Sequence, residues 1–124
     1  MNAEANSNPM GGKEDYLRWV LEQLSGAGNV SFRRMFGAFG LYRNDVFFGI
    51  ISGDTLFFKV GDANRADYET RGMAPFRPYR DKPLVSMSYY TVPADVLEDP
   101  DECVRWAMRA VAAGQAKKKL SKKS

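Results

Sequence analysis

Residues 33–42 read Arg33-Arg34-Met35-Phe36-Gly37-Ala38-Phe39-Gly40-Leu41-Tyr42. The stretch combines two cations, large apolar or aromatic groups and two glycines, and no catalytic side chain stands in it. We predict strands over residues 30–36 and 38–42, because Gly37 between them permits a bulge or a sharp bend. The stretch therefore indicates a small α+β domain that binds something, and it names no reaction.

Two more strands are predicted after this pair, over residues 46–51 and 55–60. Short turns at residues 43–45 and 52–54 separate them, and turns this short require antiparallel neighbours. Residues 13–24, 62–71 and 99–116 have helical patterns, and residues 84–92 form a further strand. The predicted fold is α+β, an antiparallel sheet of about five strands with N- and C-terminal helices packed on it, in the order α-β-β-β-β-α-β-α.

Side-chain spacing also predicts which residues form the core. Residues Leu56, Phe58 and Val60 alternate onto one face of their strand. Asp62 is predicted to cap the second helix, and Asp99 the last one. The predicted core consists of Phe48 or Phe47 with Leu56, Phe58, Val20 and Val104.

Composition and charge bound the class of protein. The chain has 124 residues, no histidine, one cysteine and a net charge of +3, which suits one domain without a disulfide framework. The five lysines Lys117, Lys118, Lys119, Lys122 and Lys123 exceed that net charge, so the remainder of the chain is −2. We predict a disordered leader at residues 1–12, a domain at 13–116 and a disordered basic tail at 117–124. No apolar run approaches the ~18 residues that a membrane span needs. Residues 1–12 have no signal-peptide pattern, and the lone cysteine suits the cytoplasm.

Four motifs in register resemble a known family. They are residues 33–42, 56–60 with 64–67, 72–76 and 87–93, and the chain is similar across residues 32–111 to the N-terminal domain of the TfoX/Sxy competence regulators. The resemblance implies a small α+β domain that regulates transcription through a protein partner. Because a second, helical domain often follows in that family and none fits within this sequence, we expect a single-domain member.

The candidate binding residues are cations and tyrosines. Arg33 and Arg34 point to opposite faces of a strand, so one of them either grips an anion or acidic partner or pairs with a carboxylate at the sheet edge. Tyr89 and Tyr90 alternate likewise, with one in the core and the other available to stack on a base or ligand. Residues 72–83 and the preceding position offer the best basic patch, which either faces an anion or covers apolar surface with its side chains. Its members are Arg71, Arg77, Arg80 and Lys82.

Other chemistry has little support in the sequence. The glycines of residues 37–40 do not match a phosphate loop, because no G-x-G-x-x-G occurs and no Lys-Ser/Thr follows. Cys103 lies on the apolar side of the last helix and suits a structural role. We expect no metal and no cofactor, since one sulfur without histidine cannot build a zinc site. The lysine tail serves solubility or adds nonspecific, salt-sensitive contact with nucleic acid.

The function predicted from these patterns is non-enzymatic. A regulatory domain with a protein partner is favoured, and a module that binds nucleic acid or a small anion through residues 72–83 and the tail is the alternative. An enzyme is least favoured for want of catalytic groups. The sequence leaves open whether the domain is a monomer or a homodimer.

Overall fold

In the part of the chain that the structure describes, six strands form one antiparallel sheet, and helices before and after the strands pack against it, so the predicted α+β class is confirmed. The computed structural model describes residues 11–35, 37–78 and 87–123. The helices are α1 Gly11–Gln23, α2 Arg65–Glu69, α3 Ala94–Leu97 and α4 Pro100–Lys123, with a 3₁₀ turn at Ser25–Ala27. The strands are β1 Val30–Met35, β2 Ala38–Arg43, β3 Val46–Ser52, β4 Thr55–Lys59, β5 Pro75–Phe76 and β6 Met87–Thr91.

The strands lie in the order β1-β2-β3-β4-β6-β5, and every neighbouring pair is antiparallel. The predicted meander of β2, β3 and β4 is therefore confirmed. Asn44 and Asp45 between β2 and β3 have φ values of 49° and 68°, the combination that a two-residue type I′ hairpin turn requires. Gly53, with φ of 63°, closes the next hairpin.

Several elements differ from the sequence prediction. The two-residue strand β5 lies inside the predicted loop, and α3 was not predicted, because such short elements show no measurable period. Helix α4 continues to Lys123, beyond the predicted end at residue 116 and into the segment predicted as a disordered tail. Residues 1–10 of the predicted leader and residues 84–86 of the predicted strand lie outside the described residues.

The predicted cap of the second helix is wrong, whereas that of the last helix is confirmed. Asn64, not Asp62, precedes α2, and its buried side chain accepts a hydrogen bond from the Gly61 N–H (2.7 Å) and donates one to the Lys59 carbonyl (3.1 Å). These bonds join the Asn64 side chain to the end of β4 and so fix where the helix begins. The Asp99 carboxylate accepts hydrogen bonds from the backbone N–H groups of the second and third residues of α4.

The core lies between the helices and one face of the sheet. Val20, Phe48, Leu56 and Phe58 are buried there as predicted. Val104 is only half-buried, which contradicts the prediction; its side chain lies next to Gly26 of the 3₁₀ turn, at the border of the core. Trp106 occupies an inner position of α4 instead and packs edge-on against Tyr68, with ring centroids 4.9 Å apart.

Strand register divides the sheet residues between its two faces. Directly opposite residues of antiparallel strands lie on the same face, so Phe32, Leu41, Gly49, Phe58 and Tyr90 form one row across the helix-covered face. The opposite side, here called the outer face, includes the cross-strand row Arg33, Gly40, Ile50, Phe57 and Thr91, the pair Tyr42 and Phe47, and the pair Lys59 and Tyr89.

Candidate functional site

The opening motif forms the β1–β2 hairpin, and its two arginines point to opposite faces as the alternation of a strand predicts. Gly37 stands in the connecting turn with φ of 78°, a conformation that favours glycine. Phe36 lies outside the described residues. The hairpin thus separates the roles of Arg33 and Arg34.

Arg34 lies on the helix-covered side and has a carboxylate partner. Its guanidinium donates a 2.8 Å hydrogen bond to Glu14 of α1 and lies 5.2 Å from the centroid of the Phe39 ring. Both side chains of the ion pair are at least half exposed, so the pair contributes little to stability. Arg34 therefore takes the structural role of an edge-strand cation paired with an acid.

Arg33 lies on the outer face, where its guanidinium carbon stands 4.8 Å from the centroid of the Tyr42 ring. Within residues 14–35, 37–78 and 87–116, no carboxylate lies within ion-pair distance of it. The side chain is exposed. Of the two motif arginines, Arg33 is thus the one positioned to meet an acidic group on another molecule.

The packing around Gly40 explains why the motif has a glycine at this second position. A Cβ at this position would lie 2.5 Å from the Met35 Cε, 3.2 Å from a Phe47 ring carbon and 3.3 Å from a Tyr42 ring carbon. These three side chains pack over the bare backbone of Gly40 on the outer face. The glycine therefore forms the floor of a small apolar cluster.

Aromatic rings continue from this cluster across the outer face. Tyr42 stacks on Phe47 with centroids 5.1 Å apart, and Phe47 lies 5.2 Å from Tyr89. The Lys59 ammonium stands 5.1 Å from the Tyr89 ring centroid. Burial raises the pKa of the Tyr89 hydroxyl far above its ordinary value. The outer face is therefore a packed aromatic surface with cations at its sides.

The two candidate tyrosines are both packed in the structure. Tyr89 is 5% exposed on the outer face, and Tyr90 is half-buried on the helix-covered face with its ring 5.9 Å from Tyr68. The expectation that one of them packs in the core holds for Tyr90. Tyr89 is held by Phe47 rather than standing open for a base to stack upon it.

Of the candidate basic patch, Arg71 lies away from Arg33 and on the other side of the sheet. Arg71 donates two 2.9 Å hydrogen bonds to the Asp95 carboxylate and lies 5.4 Å from the centroid of the Trp106 ring, which is on the helix side. Its hydrogen bond holds the pKa of the Asp95 carboxyl below the usual range. Arg77 is exposed and has an interaction partner. Arg80 and Lys82 lie outside the described residues.

The tail lysines lie within helix α4. Its described range includes Lys117, Lys118, Lys119, Lys122 and Lys123. Near the start of the same helix, Cys103 is completely buried, and burial raises its thiol pKa to about 12. Such a thiol is protonated at neutral pH and unreactive, in keeping with a structural role.

The described ranges contain neither a candidate metal site nor a helix that could span a membrane. No group of histidine, cysteine or carboxylate side chains there has the arrangement of a metal site. No described helix combines the length and apolar character needed to cross a membrane.

Sequence reasoning missed the partners of Arg33. Met35, Tyr42, Phe47 and Lys59 all lie on the outer face, but none of them was predicted as a binding residue. Strand alternation could have placed Met35 and Tyr42 beside Arg33. Phe47 could not be placed in that way, because a register shift between β2 and β3 makes Leu41 face Gly49 but Tyr42 face Phe47.

The fold and the motif together define a small α+β domain whose distinctive residues build a hairpin, a core and a partly exposed aromatic surface. A comparison with family models identifies it further. The chain belongs to the TfoX N-terminal domain family, whose model matches residues 22–114. This is a family of non-catalytic, competence-type regulatory domains. No curated protein matches the chain.

Proposed function

We propose that this protein is a regulatory domain of the cytoplasm that acts by binding a protein partner in competence-type transcription control. Membership of the TfoX N-terminal domain family supports the regulatory class. The outer face supports the choice of a protein as partner. It is the side of the sheet that presents Arg33 together with an aromatic cluster.

The composition of the outer face is the observation on which this proposal depends. Arg33 is exposed, and Met35, Tyr42, Phe47 and Phe57 are each partly exposed. Tyrosine, phenylalanine, methionine and arginine are the residue types enriched in protein–protein interfaces. Large rigid rings beside an arginine also make up the usual energetic centre of such an interface.

The arrangement of the rings favours a protein over single-stranded nucleic acid. Base stacking needs a ring face that no other group covers. Tyr42 has Phe47 stacked on it and the Arg33 guanidinium over its ring. Tyr89 has Phe47 and Lys59 beside it. The surface therefore offers ring edges and methyl groups to apolar protein side chains, and Arg33 to an acidic one.

Affinity capture from the native cytoplasm tests the proposal. The bait is the full chain, captured with and without nuclease, beside the variants Arg33→Glu and Arg105→Glu. Arg105 is the matched control, because it is also exposed but lies on α4 with Glu102 as its partner.

We expect one protein to be retained after nuclease by the unmodified chain and by Arg105→Glu, and to be lost with Arg33→Glu. Circular dichroism of each variant checks that the fold is intact. Retention of only nuclease-sensitive material would refute the proposal. Equal loss of the partner with the Arg105 and Arg33 variants would show that the outer face is not the binding surface.

A second candidate function is weak binding of nucleic acid or a small anion. The observation that favours it is the helical course of α4 through Lys123, which keeps the tail lysines on one continuous element. The test is fluorescence anisotropy with a DNA duplex at two salt concentrations, for the intact chain and for a chain ending at Ala116. If truncation abolishes DNA binding together with its salt dependence, the binding is due to the tail lysines. Tight binding by the shortened chain, weakened by Arg77→Ala with Arg80→Ala, would favour residues 72–83.

A further inference from the structure

Among the strands of the described residues, β1 forms one edge of the sheet and pairs with β2 alone. Its residues from Ser31 to Arg34 are all exposed, including Phe32 with 41% of its surface accessible. Within the described ranges, no backbone hydrogen bond joins the edge of β1 that points away from β2 to another element. A strand edge of this kind is a template for pairing with another chain.

We infer that two copies of this chain dimerise by antiparallel pairing of β1 with β1, with Phe32 on the two-fold axis. The pairing would continue the two six-stranded sheets into one. This inference does not depend on the proposed function, since it concerns the edge of the sheet and not a foreign partner.

Register and charge select Phe32 as the axial residue. Residues directly opposite one another share a face, so two sheets that join with their helices on the same side must have a residue facing its own copy. An axis at Arg33 or at Arg34 would set identical cations opposite each other, which is destabilising. An axis at Phe32 instead sets Arg33 opposite Ser31 and Arg34 opposite Val30.

The side chains of that register are self-complementary. Phe32 packs edge-on against Phe39 within its own chain, with ring centroids 5.8 Å apart and planes at 83°. In the dimer its exposed surface meets the same ring of the second copy, and aromatic pairs across antiparallel strands are favourable contacts. The Arg33 guanidinium can reach the Ser31 hydroxyl of the second copy on the outer face.

The opposite edge of the sheet is unsuited to the same pairing. Strand β5 has only two residues, and one of them is Pro75, which has no N–H to donate. Strand β1 has six residues and no proline. A single pair of strands this short buries less than the roughly 1,200–2,000 Å² of stable complexes. We therefore expect a weak dimer that forms reversibly as concentration rises.

Dimerisation would also place both outer faces on the same side of one continuous sheet. The Arg33 side chains of the two copies would then lie in neighbouring positions along the paired β1 strands. A partner that contacts one outer face would meet a second, symmetry-related face next to it.

Disulfide trapping tests the axis directly. In Phe32→Cys, the new thiols would have Cα atoms about 4.5–5.5 Å apart across the two-fold axis, within the range that a disulfide spans. Cys103 is the only native cysteine and is 0% exposed, so it does not compete. Met87→Cys is the matched control, because Met87 is a large apolar residue of similar exposure, 38%, on β6.

We expect mild oxidation to link Phe32→Cys at concentrations where Met87→Cys remains monomeric. Equal linking of the two variants would mean random collision and would overturn the inference. The register has its own test. Arg33→Cys alone should not link, whereas a mixture of Ser31→Cys and Arg33→Cys should give the mixed disulfide. Efficient linking of Arg33→Cys with itself would place the axis elsewhere.

Sedimentation of proteins without engineered cysteines completes the test. The unmodified chain and Phe32→Leu should show the same concentration-dependent association. Phe32→Arg should remain monomeric, because it sets two cations face to face at the axis. A monomer at all concentrations for the unmodified chain, or association retained in Phe32→Arg, would refute the inference.

Discussion

Replacing Tyr68 by phenylalanine should make the protein more stable, although the residue is among the most deeply buried. Tyr68 is 1% exposed between Tyr90 and Trp106, and its hydroxyl has no hydrogen-bond partner among the residues that the structure describes. The same burial raises the pKa of this hydroxyl well above its ordinary value. An unpaired buried hydroxyl costs about 1–3 kcal/mol, and Tyr68→Phe removes that cost without breaking a bond.

The change also leaves a small void. An oxygen-sized gap of about 10 Å³ costs about 0.2 kcal/mol at the usual cavity coefficient. The net gain in the free energy of unfolding should therefore be about 0.8–2.8 kcal/mol. For a domain of this size, that corresponds to a rise of at least about 3 °C in Tm.

Urea unfolding followed by circular dichroism, at equal protein concentration, measures this difference. Tyr90→Phe is the matched control, because Tyr90 belongs to the same ring cluster but is only half-buried. It should change stability by less than about 0.5 kcal/mol. A loss of 1 kcal/mol or more in Tyr68→Phe would refute the reasoning, since it would mean that the hydroxyl has a partner, such as a buried water.

Three further predictions concern the packing of α4 and β4. Gly114→Ala should lower stability by about 1 kcal/mol or more in urea unfolding, despite the better helix propensity of alanine. Its Cβ would lie 2.9 Å from the Phe47 carbonyl oxygen, which is backbone and cannot easily yield; unchanged or higher stability would contradict this. Phe58→Ala should cost about 3–5 kcal/mol at its fully buried site, and unchanged thermal stability would contradict the facing of β4. The Cys103 thiol, with its pKa raised from 9.0 to about 12, should resist labelling until the protein unfolds. Between these pH values the unfolded chain binds fewer protons than the native one, so stability should fall as pH rises; a rise there, or rapid native labelling, would count against burial.

The meander was predictable because its determinants are local. Two short polar turns separate strands with clear alternation, and Asn44 and Asp45 are residue types that tolerate the positive φ values found there. The facing of Leu56 and Phe58 likewise follows from a period of two. Such features depend on neighbours in the chain, which a sequence displays directly.

The candidate site was less predictable because it depends on contacts between distant strands. Arg33 and Tyr89 were both candidates, but only the sheet order shows that Phe47 joins Tyr42 to Tyr89 across the outer face. The register shift opposite Phe48 also decides which phenylalanine of β3 enters the core. Neither the order of strands nor a bulge is encoded in a local pattern.

The role of Arg71 was also not predictable, because it depends on partners that are distant in the chain. Arg71 was grouped with the basic patch by its position in the chain, but Asp95 and Trp106 hold it on the helix side. The cap at Asp99 was predictable because the backbone N–H groups that donate to its carboxylate follow within three residues. Val104 was misplaced because the helical period alone does not show how completely neighbouring elements cover a position of the helix.

Site-specific photo-crosslinking tests the central claim, that the outer face contacts a protein. A photoreactive phenylalanine analogue would replace Phe57, which is half-buried in the middle of that face, in the full chain within its native cytoplasm. Ala66, exposed on α2, is the control position. The account predicts a defined protein adduct at position 57 that survives nuclease and is absent at position 66. A nucleic-acid adduct at position 57, equal adducts at both positions, or no adduct at position 57 would contradict it.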